Sequence, residues 1–125
     1  MANTKKILVA EDSSVIQNIT RKVLQFQNYE IISVKNGKQV LEQLEKGDFD
    51  ALLLDINMPV MDGMECAKKV RSLGDKKKAS IPIIAITGNA KNYSMDDFKA
   101  VGIDEYLPKP LNFDNLVNTV NRITA

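Results

Sequence analysis

Five polar residues suited to nucleophilic, metal-binding or charge-stabilising chemistry stand at the ends of short apolar runs. They are Glu11, Asp12, Asp55, Thr87 and Lys109. In an open α/β sheet, ligands bind beyond the carboxyl ends of the strands, so residues at those ends meet at one edge. Three carboxylates gathered there repel one another, and a hard divalent cation such as Mg²⁺, which prefers oxygen ligands, offsets that charge.

The same residues suffice for phosphoryl transfer to a carboxylate. With a bound cation and the Lys109 ammonium as positive charges, one carboxylate is free to act as a nucleophile and form an acyl phosphate. The Thr87 hydroxyl can donate a hydrogen bond to a phosphoryl oxygen. Phosphoryl transfer requires mainly positioning and charge neutralisation, so this set is sufficient without a histidine.

The composition excludes several other kinds of chemistry. The chain has no histidine, which removes histidine-based triads, histidine metal ligands and phosphohistidine carriers. Its one cysteine, Cys66, can form neither an intrachain disulfide nor a zinc cluster, and we expect a small buried side chain there. Lys and Arg number 17 against 16 Asp and Glu, and the net charge of +1 argues against a direct nucleic-acid partner.

The length and hydropathy of the chain predict one domain that does not associate with a membrane. A chain of 125 residues has the size of a single domain. No apolar run approaches the roughly 20 residues of a membrane span, and the run at 7–10 is too short for a signal peptide. We therefore expect a cytoplasmic protein with one domain over residues 1–125.

Short apolar runs alternate with segments of helical period along the chain. The runs predict strands at 7–10, 29–34, 51–54, 81–86 and 103–107. Apolar residues three or four apart predict helices at 13–26, 36–47, 64–73, 93–101 and from Asn112 onwards. Asp12 or Ser13, Asn36 and Asn112 are candidate N-caps, and the charged stretch 74–78 is expected to be a surface loop. Strict alternation of strands and helices predicts an α/β fold with a parallel central sheet.

Four sequence motifs in this order resemble the receiver domain of bacterial two-component response regulators. They are ILVAED at 7–12, LLDINMPVMDG at 53–63, IIAITG at 83–88 and YLPKP at 106–110. The resemblance covers almost the whole chain, and the single-domain chemotaxis type is the most similar in size. It implies a flavodoxin-like three-layer sandwich with five helices and a five-stranded parallel sheet of order 2-1-3-4-5.

The resemblance also implies a phosphorylation site and its cofactor. Asp55 would accept a phosphoryl group from a phosphohistidine on a sensor histidine kinase or a histidine phosphotransfer protein. Glu11, Asp12, Asp55 and the backbone carbonyl of Asn57 would hold Mg²⁺, or Mn²⁺ in its place. In the family, phosphorylation and dephosphorylation are self-catalysed, so we expect a phosphorelay signalling module and not an enzyme.

A conformational switch is the third implication of the resemblance. Thr87 and Lys109 would bind the phosphoryl oxygens, and Tyr106 would move together with Thr87. This movement would reshape the face made by the fourth predicted helix, the fifth strand and the last helix, where a downstream protein target binds. The Lys109–Pro110 peptide bond is typically cis in the family, which would aim the ammonium into the pocket.

The resemblance implies, in addition, that the positions of Asn57 and Asn89 tune the lifetime of the phosphoryl group. No output domain is expected in these 125 residues. Output is therefore expected through protein contacts, by a monomer or a phosphorylation-dependent dimer, or the chain is one step of a phosphorelay. A receiver excised from a larger hybrid kinase is the other alternative.

Other interpretations are weaker. An aspartyl-phosphate phosphohydrolase usually has a second Asp two residues after the nucleophile, whereas here Asn57 stands there and cannot transfer protons usefully. A flavodoxin-like cofactor carrier needs a Gly- or hydroxyl-rich phosphate loop after the first strand, where this chain has Glu11 and Asp12. A scaffold without phosphorylation chemistry is disfavoured because the expected acidic, Thr and Lys positions are all intact.

Overall fold

The five apolar runs form strands, and segments of helical period separate them. A computed structural model of the chain describes residues 4–58, 60–88 and 94–125. The strands are β1 (Lys6–Ala10), β2 (Glu30–Val34), β3 (Ala51–Asp55), β4 (Ile83–Thr87) and β5 (Glu105–Pro108). The helices are α1 (Ser14–Phe26), α2 (Gly37–Lys46), α3 (Gly63–Arg71), α4 (Lys76–Ala79), α5 (Met95–Ala100) and α6 (Phe113–Ile123).

The strands form one parallel sheet in the order β2-β1-β3-β4-β5. This order and the α/β class confirm the prediction. The register places Ala10 beside both Val34 and Leu54, and Asp55 beside Ile86. The carboxyl ends of β1, β3 and β4 therefore lie at the same edge of the sheet.

Helices cover both faces of the sheet, which explains why the central strands are continuously apolar. Every residue of β3 and β4 is buried. Alternate residues of β3 belong to different cores: Leu52 and Leu54 pack in one, and Ala51 and Leu53 in the other. The first core includes residues of α2, α3 and α5, and the second includes residues of α1 and α6.

Side-chain caps set the starts of the helices. Ser13, and not Asp12, is the N-cap of α1, since its Oγ accepts from the Ile16 N–H at 3.4 Å. Asn36 and Asn112 cap α2 and α6 as predicted. At α5, Ser94 and Asp97 form a reciprocal capping box, which is a strong signal for a helix start.

The described residues form six helices where five were expected. The extra one is α4, a single turn within the charged stretch predicted to be a loop. The Asp75 carboxylate accepts hydrogen bonds from the backbone N–H groups of Lys77 and Lys78, at 2.9 and 3.2 Å, and so stabilises that turn. The fold class is unaffected. Within the described ranges, no helix combines the length and the apolar character needed to cross a bilayer.

One guanidinium connects several loops at the amino ends of β4 and β5. Arg71, the last residue of α3, donates to the backbone carbonyls of Gly102, Ala79 and Ile81 at 2.5 to 2.9 Å. It also forms an ion pair with Asp104 at 3.2 Å. Gly102 has a φ of 86°, and a Cβ there would lie 2.5 Å from the Arg71 side chain. Glycine is therefore required at this contact.

Candidate functional site

Three carboxylates converge at the carboxyl edge of the sheet, and we call them the acidic cluster. Glu11 and Asp12 directly follow β1, and Asp55 is the last residue of β3. One ligand oxygen from each lies within 4.8 Å of the others. Glu11 and Asp55 are buried, whereas Asp12 is exposed. The cluster is thus a partly buried site that is open to solvent on the side of Asp12.

Two oxygens of the acidic cluster accept hydrogen bonds from backbone N–H groups. The Ser13 N–H donates to Glu11 Oε2 at 3.2 Å, and the Asn57 N–H donates to Asp55 Oδ1 at 3.0 Å. The remaining oxygens of these two side chains, Glu11 Oε1 and Asp55 Oδ2, are buried and accept no hydrogen bond. Because buried polar atoms are normally paired, these two oxygens are candidate ligand atoms for a cation.

The ammonium of Lys109 lies against the same two oxygens. Its Nζ is 3.3 Å from Asp55 Oδ2 and 3.5 Å from Glu11 Oε1. The backbone of Lys109 is fixed by its N–H, which donates to the Thr87 carbonyl at 2.8 Å. The Lys109–Pro110 peptide bond is cis. Lys109 therefore offsets part of the negative charge on two buried carboxylates.

Burial is the main cause of the raised pKa of Glu11. Loss of solvation raises its pKa from 4.5 to about 7, and the neighbouring Asp55 carboxylate adds to this increase. The Ser13 N–H and the Lys109 ammonium act in the opposite direction. Uptake of a cation, which needs the ionised carboxylate, therefore competes with a proton near neutral pH.

The stability of the cation-free protein is expected to decrease from about pH 4.5 to 7. Because the folded-state pKa of Glu11 is raised, the folded state binds more protons than the unfolded state in that window. The free energy of unfolding should fall by up to about 3 kcal/mol as Glu11 ionises. Urea denaturation at a series of pH values, with a chelator present, measures this change.

Glu11→Gln should flatten that pH dependence, because the amide does not titrate. Glu42→Gln, at an exposed position on α2, is the matched control and should keep the slope. Stability that rises with pH across the window, or the same slope in both variants, contradicts the assignment.

Thr87 and Tyr106 lie on adjacent strands and on the same face of the sheet. Thr87 ends β4 and is buried. Tyr106 pairs with Ala85, two residues before Thr87, and paired residues of parallel strands project to the same side. Tyr106 is 38% exposed, and its ring stacks on that of Phe98 in α5, with ring centroids 5.3 Å apart. Tyr106 thus connects the β4 end with α5.

The remaining predicted positions lie in the loops after β3 and β4. Asn57 is exposed and reaches Asp55 through its backbone N–H. Asn89 lies outside the described residues, as do Pro59 and Tyr93. Cys66 is buried in α3 as predicted, and burial raises the pKa of its thiol to about 12, so it is unreactive.

Gln17 supports the site, although the sequence analysis did not identify it. Its side-chain amide donates to the backbone carbonyls of Glu11 and Val34, at 3.1 and 2.9 Å. These hydrogen bonds therefore connect α1 to the carboxyl ends of β1 and β2, next to the acidic cluster. Gln17 belongs to a predicted helix, but its reach to two strand ends follows only from the packing of α1.

The flavodoxin-like strand order and an acidic cluster at the carboxyl edge of the sheet are the features expected of a signal-receiver domain. Residues 7–121 match the response regulator receiver domain, and the chain belongs to this family. This result confirms the resemblance inferred from the four sequence motifs.

Solved structures of receiver domains share the fold over nearly the whole chain. Chemotaxis response regulator CheY4 of Vibrio cholerae has a TM-score of 0.86 and 32% identity, covering 97% of this chain and 99% of its own. The receiver domain of sensor histidine kinase PA1611 from Pseudomonas aeruginosa has a TM-score of 0.88 and 29% identity, covering 98% of both chains. That structure has a magnesium ion coordinated in its active site cleft.

Curated relatives contain this domain as one part of a longer protein. Hybrid signal transduction histidine kinase I of Dictyostelium discoideum is 32% identical over 122 residues, which are 94% of this chain and 7% of that protein. The chain spans half or less of the length of the curated relatives it matches.

The chain is a receiver of phosphorelay signals, a signalling module and not a conventional enzyme. The hydrolase and cofactor-carrier interpretations are not favoured.

Proposed function

We propose that Asp55 accepts a phosphoryl group from a phosphohistidine and that this modification switches the surface formed by α5, β5 and α6. The observation that carries the proposal is Asp55 Oδ2, a buried carboxylate oxygen with no hydrogen bond, 3.3 Å from Lys109 Nζ. This oxygen is the one proposed to attack phosphorus, since the other oxygen of the same carboxylate accepts a hydrogen bond from the Asn57 N–H.

The acidic cluster fits Mg²⁺, or Mn²⁺, as a cofactor. It supplies only hard oxygen donors, and two of these are buried without hydrogen bonds. Glu11, Asp12, Asp55 and the backbone carbonyl of Asn57 are the proposed ligands. When bound, the cation neutralises negative charge on the phosphoryl oxygens.

The transfer itself needs few protein groups. Asp55 Oδ2 forms a bond to phosphorus while the bond from phosphorus to the donor histidine nitrogen breaks, and that nitrogen keeps the electron pair. Lys109 already contacts Asp55 Oδ2, so its ammonium is placed to stabilise the incoming negative charge. Asn57, two residues after Asp55, offers no general base for rapid hydrolysis, which favours a phosphorylated state that persists.

The conformational effect of the new charge is proposed to be transmitted to the protein surface by Thr87 and Tyr106. A phosphoryl group on Asp55 attracts the Lys109 ammonium and the Thr87 hydroxyl. Movement of Thr87 alters the space beside Tyr106, which lies on the same face of the sheet and packs on α5. The α5–β5–α6 surface would then bind a downstream protein. Asn57 and Asn89 are proposed to set how long the phosphoryl group persists.

A sensor histidine kinase or a histidine phosphotransfer protein is the proposed phosphoryl donor, because receiver domains of histidine kinases are among the relatives. The 125 residues are proposed to act as one receiver unit in the cytoplasm.

Acetyl phosphate tests the proposal without a kinase. In the presence of Mg²⁺ we expect intact-mass spectrometry to show the addition of one phosphoryl group. The label should be released by hydroxylamine, as expected for an acyl phosphate, and should be absent when EDTA replaces Mg²⁺. No label, or a hydroxylamine-resistant label on a hydroxyl side chain, would contradict the proposed function.

A further inference from the structure

A groove between α1 and α6 opens to the surface away from the acidic cluster. It has a volume of about 420 Å³, and most of its lining is apolar. Val23 and Phe26 form the α1 wall, and Phe113 and Val117 form the α6 wall. An open apolar groove with an unburied aromatic side chain is typical of an interaction surface.

Phe26 is the most exposed large apolar side chain of the described residues, at 85%. It ends α1, about 18 Å along the helix axis from Ser14, which begins α1 beside the acidic cluster. A phenylalanine at this position adds nothing to the core and exposes a large apolar surface to water. Its burial by a partner is therefore favourable.

The groove carries one charge of each sign, on opposite walls. Lys22 lines the α1 wall and Asp114 lines the α6 wall. Among the residues that the structure describes, neither takes part in an ion pair. Each charge is therefore available to a group of opposite charge on an incoming surface.

We propose that this surface binds a second copy of the chain in a two-fold symmetric dimer. In such an arrangement the α1 wall of one copy packs on the α6 wall of the other, and the same contact occurs twice. Lys22 of each copy then meets Asp114 of the other, and Phe26 of each enters the other groove. The net charge of +1 gives little long-range repulsion between copies.

A second copy of the chain provides a group of opposite charge for Lys22 on the α1 wall and for Asp114 on the α6 wall at the same time. A partner with a strongly acidic or basic face would match only one of the two charges, whereas the rotated copy matches both. The dimer does not depend on phosphorylation of Asp55, since the groove is present in the unmodified chain. It is therefore distinct from a phosphorylation-dependent dimer and from the α5–β5–α6 surface.

Sedimentation velocity over a range of protein concentrations tests the proposal. The unphosphorylated chain should show a concentration-dependent equilibrium between monomer and dimer. Phe26→Glu should weaken dimerisation by at least about tenfold, because it places a charge at the centre of the apolar contact. Val60→Glu is the matched control, since Val60 is also an exposed apolar residue, at 78%, but lies in the loop after β3.

Charge reversal distinguishes this arrangement from non-specific association. Lys22→Glu and Asp114→Lys should each weaken the dimer, because each places like charges opposite one another. The double variant should recover dimerisation, and both positions are exposed, so the fold is retained. A chain that stays monomeric at all concentrations, a dimer unaffected by Phe26→Glu, or a double variant as weak as the single variants would overturn the proposal.

Discussion

Asp55→Asn is expected to reduce phosphoryl labelling by acetyl phosphate at least about 100-fold, to background, because the amide is not a nucleophile. Asparagine has nearly the same shape, and its side-chain oxygen can still accept the hydrogen bond from the Asn57 N–H. The substitution also removes one of the two negative charges that face Lys109. The fold is therefore expected to remain intact while the chemistry is lost, and intact-mass spectrometry measures both label and stoichiometry.

Asp62→Asn is the matched control for this variant. Asp62 is the N-cap of α3, where its carboxylate accepts from the Glu65 N–H at 2.9 Å. Asparagine is an equally good N-cap, so this variant should fold and take up the label as the unmodified chain does. Stoichiometric labelling of the Asp55→Asn variant would show that another residue is the acceptor.

Gly63→Ala is expected to lower the free energy of unfolding by about 1–3 kcal/mol, the usual range for overpacking a tight contact. A Cβ on Gly63 would lie 2.7 Å from the Asp55 carbonyl oxygen and 2.8 Å from the Ile56 Cα, both of which are backbone atoms. The helix cannot move away freely, because the Gly63 N–H donates to the Ile56 carbonyl at 2.9 Å. The higher helix propensity of alanine offsets only part of this effect.

Urea denaturation compares this variant with Gly74→Ala. Gly74 lies in the loop before α4, and a Cβ there would meet no atom within 4 Å. Gly74→Ala should therefore leave the stability nearly unchanged. Because the steric clash at Gly63 is with the backbone of Asp55 itself, slower phosphorylation should accompany the loss of stability. Equal stability of the two variants would show that α3 can shift without consequence.

Most of the geometry of the candidate site could be predicted from the sequence, because the ends of strands place its residues. A run of apolar residues buried on both faces specifies a central parallel strand, and the polar residue that ends it must lie at the rim. This reasoning places Asp55 next to the residues that follow β1. The strand order itself came from the resemblance, since periodicity carries no information about which strands are neighbours.

The parts that could not be predicted depend on packing between elements. Glu11 is 1% exposed while the adjacent Asp12 is exposed, and no pattern in the sequence distinguishes these two carboxylates. The raised pKa of Glu11 follows from that burial. α4 has only four residues, which is too short for a helical period to be visible. The contacts of Gln17 and Arg71 depend on backbone carbonyls that belong to other elements.

Arg71 has a mechanical consequence for the proposed switch. Its guanidinium holds the carbonyls of Gly102, Ala79 and Ile81, so the loops that lead into β4 and β5 are anchored at the edge opposite Asp55. Gly102 comes two residues after the end of α5. We therefore expect α5 to rotate about its anchored carboxyl end. The largest displacement is then expected at its amino end, near residue 95.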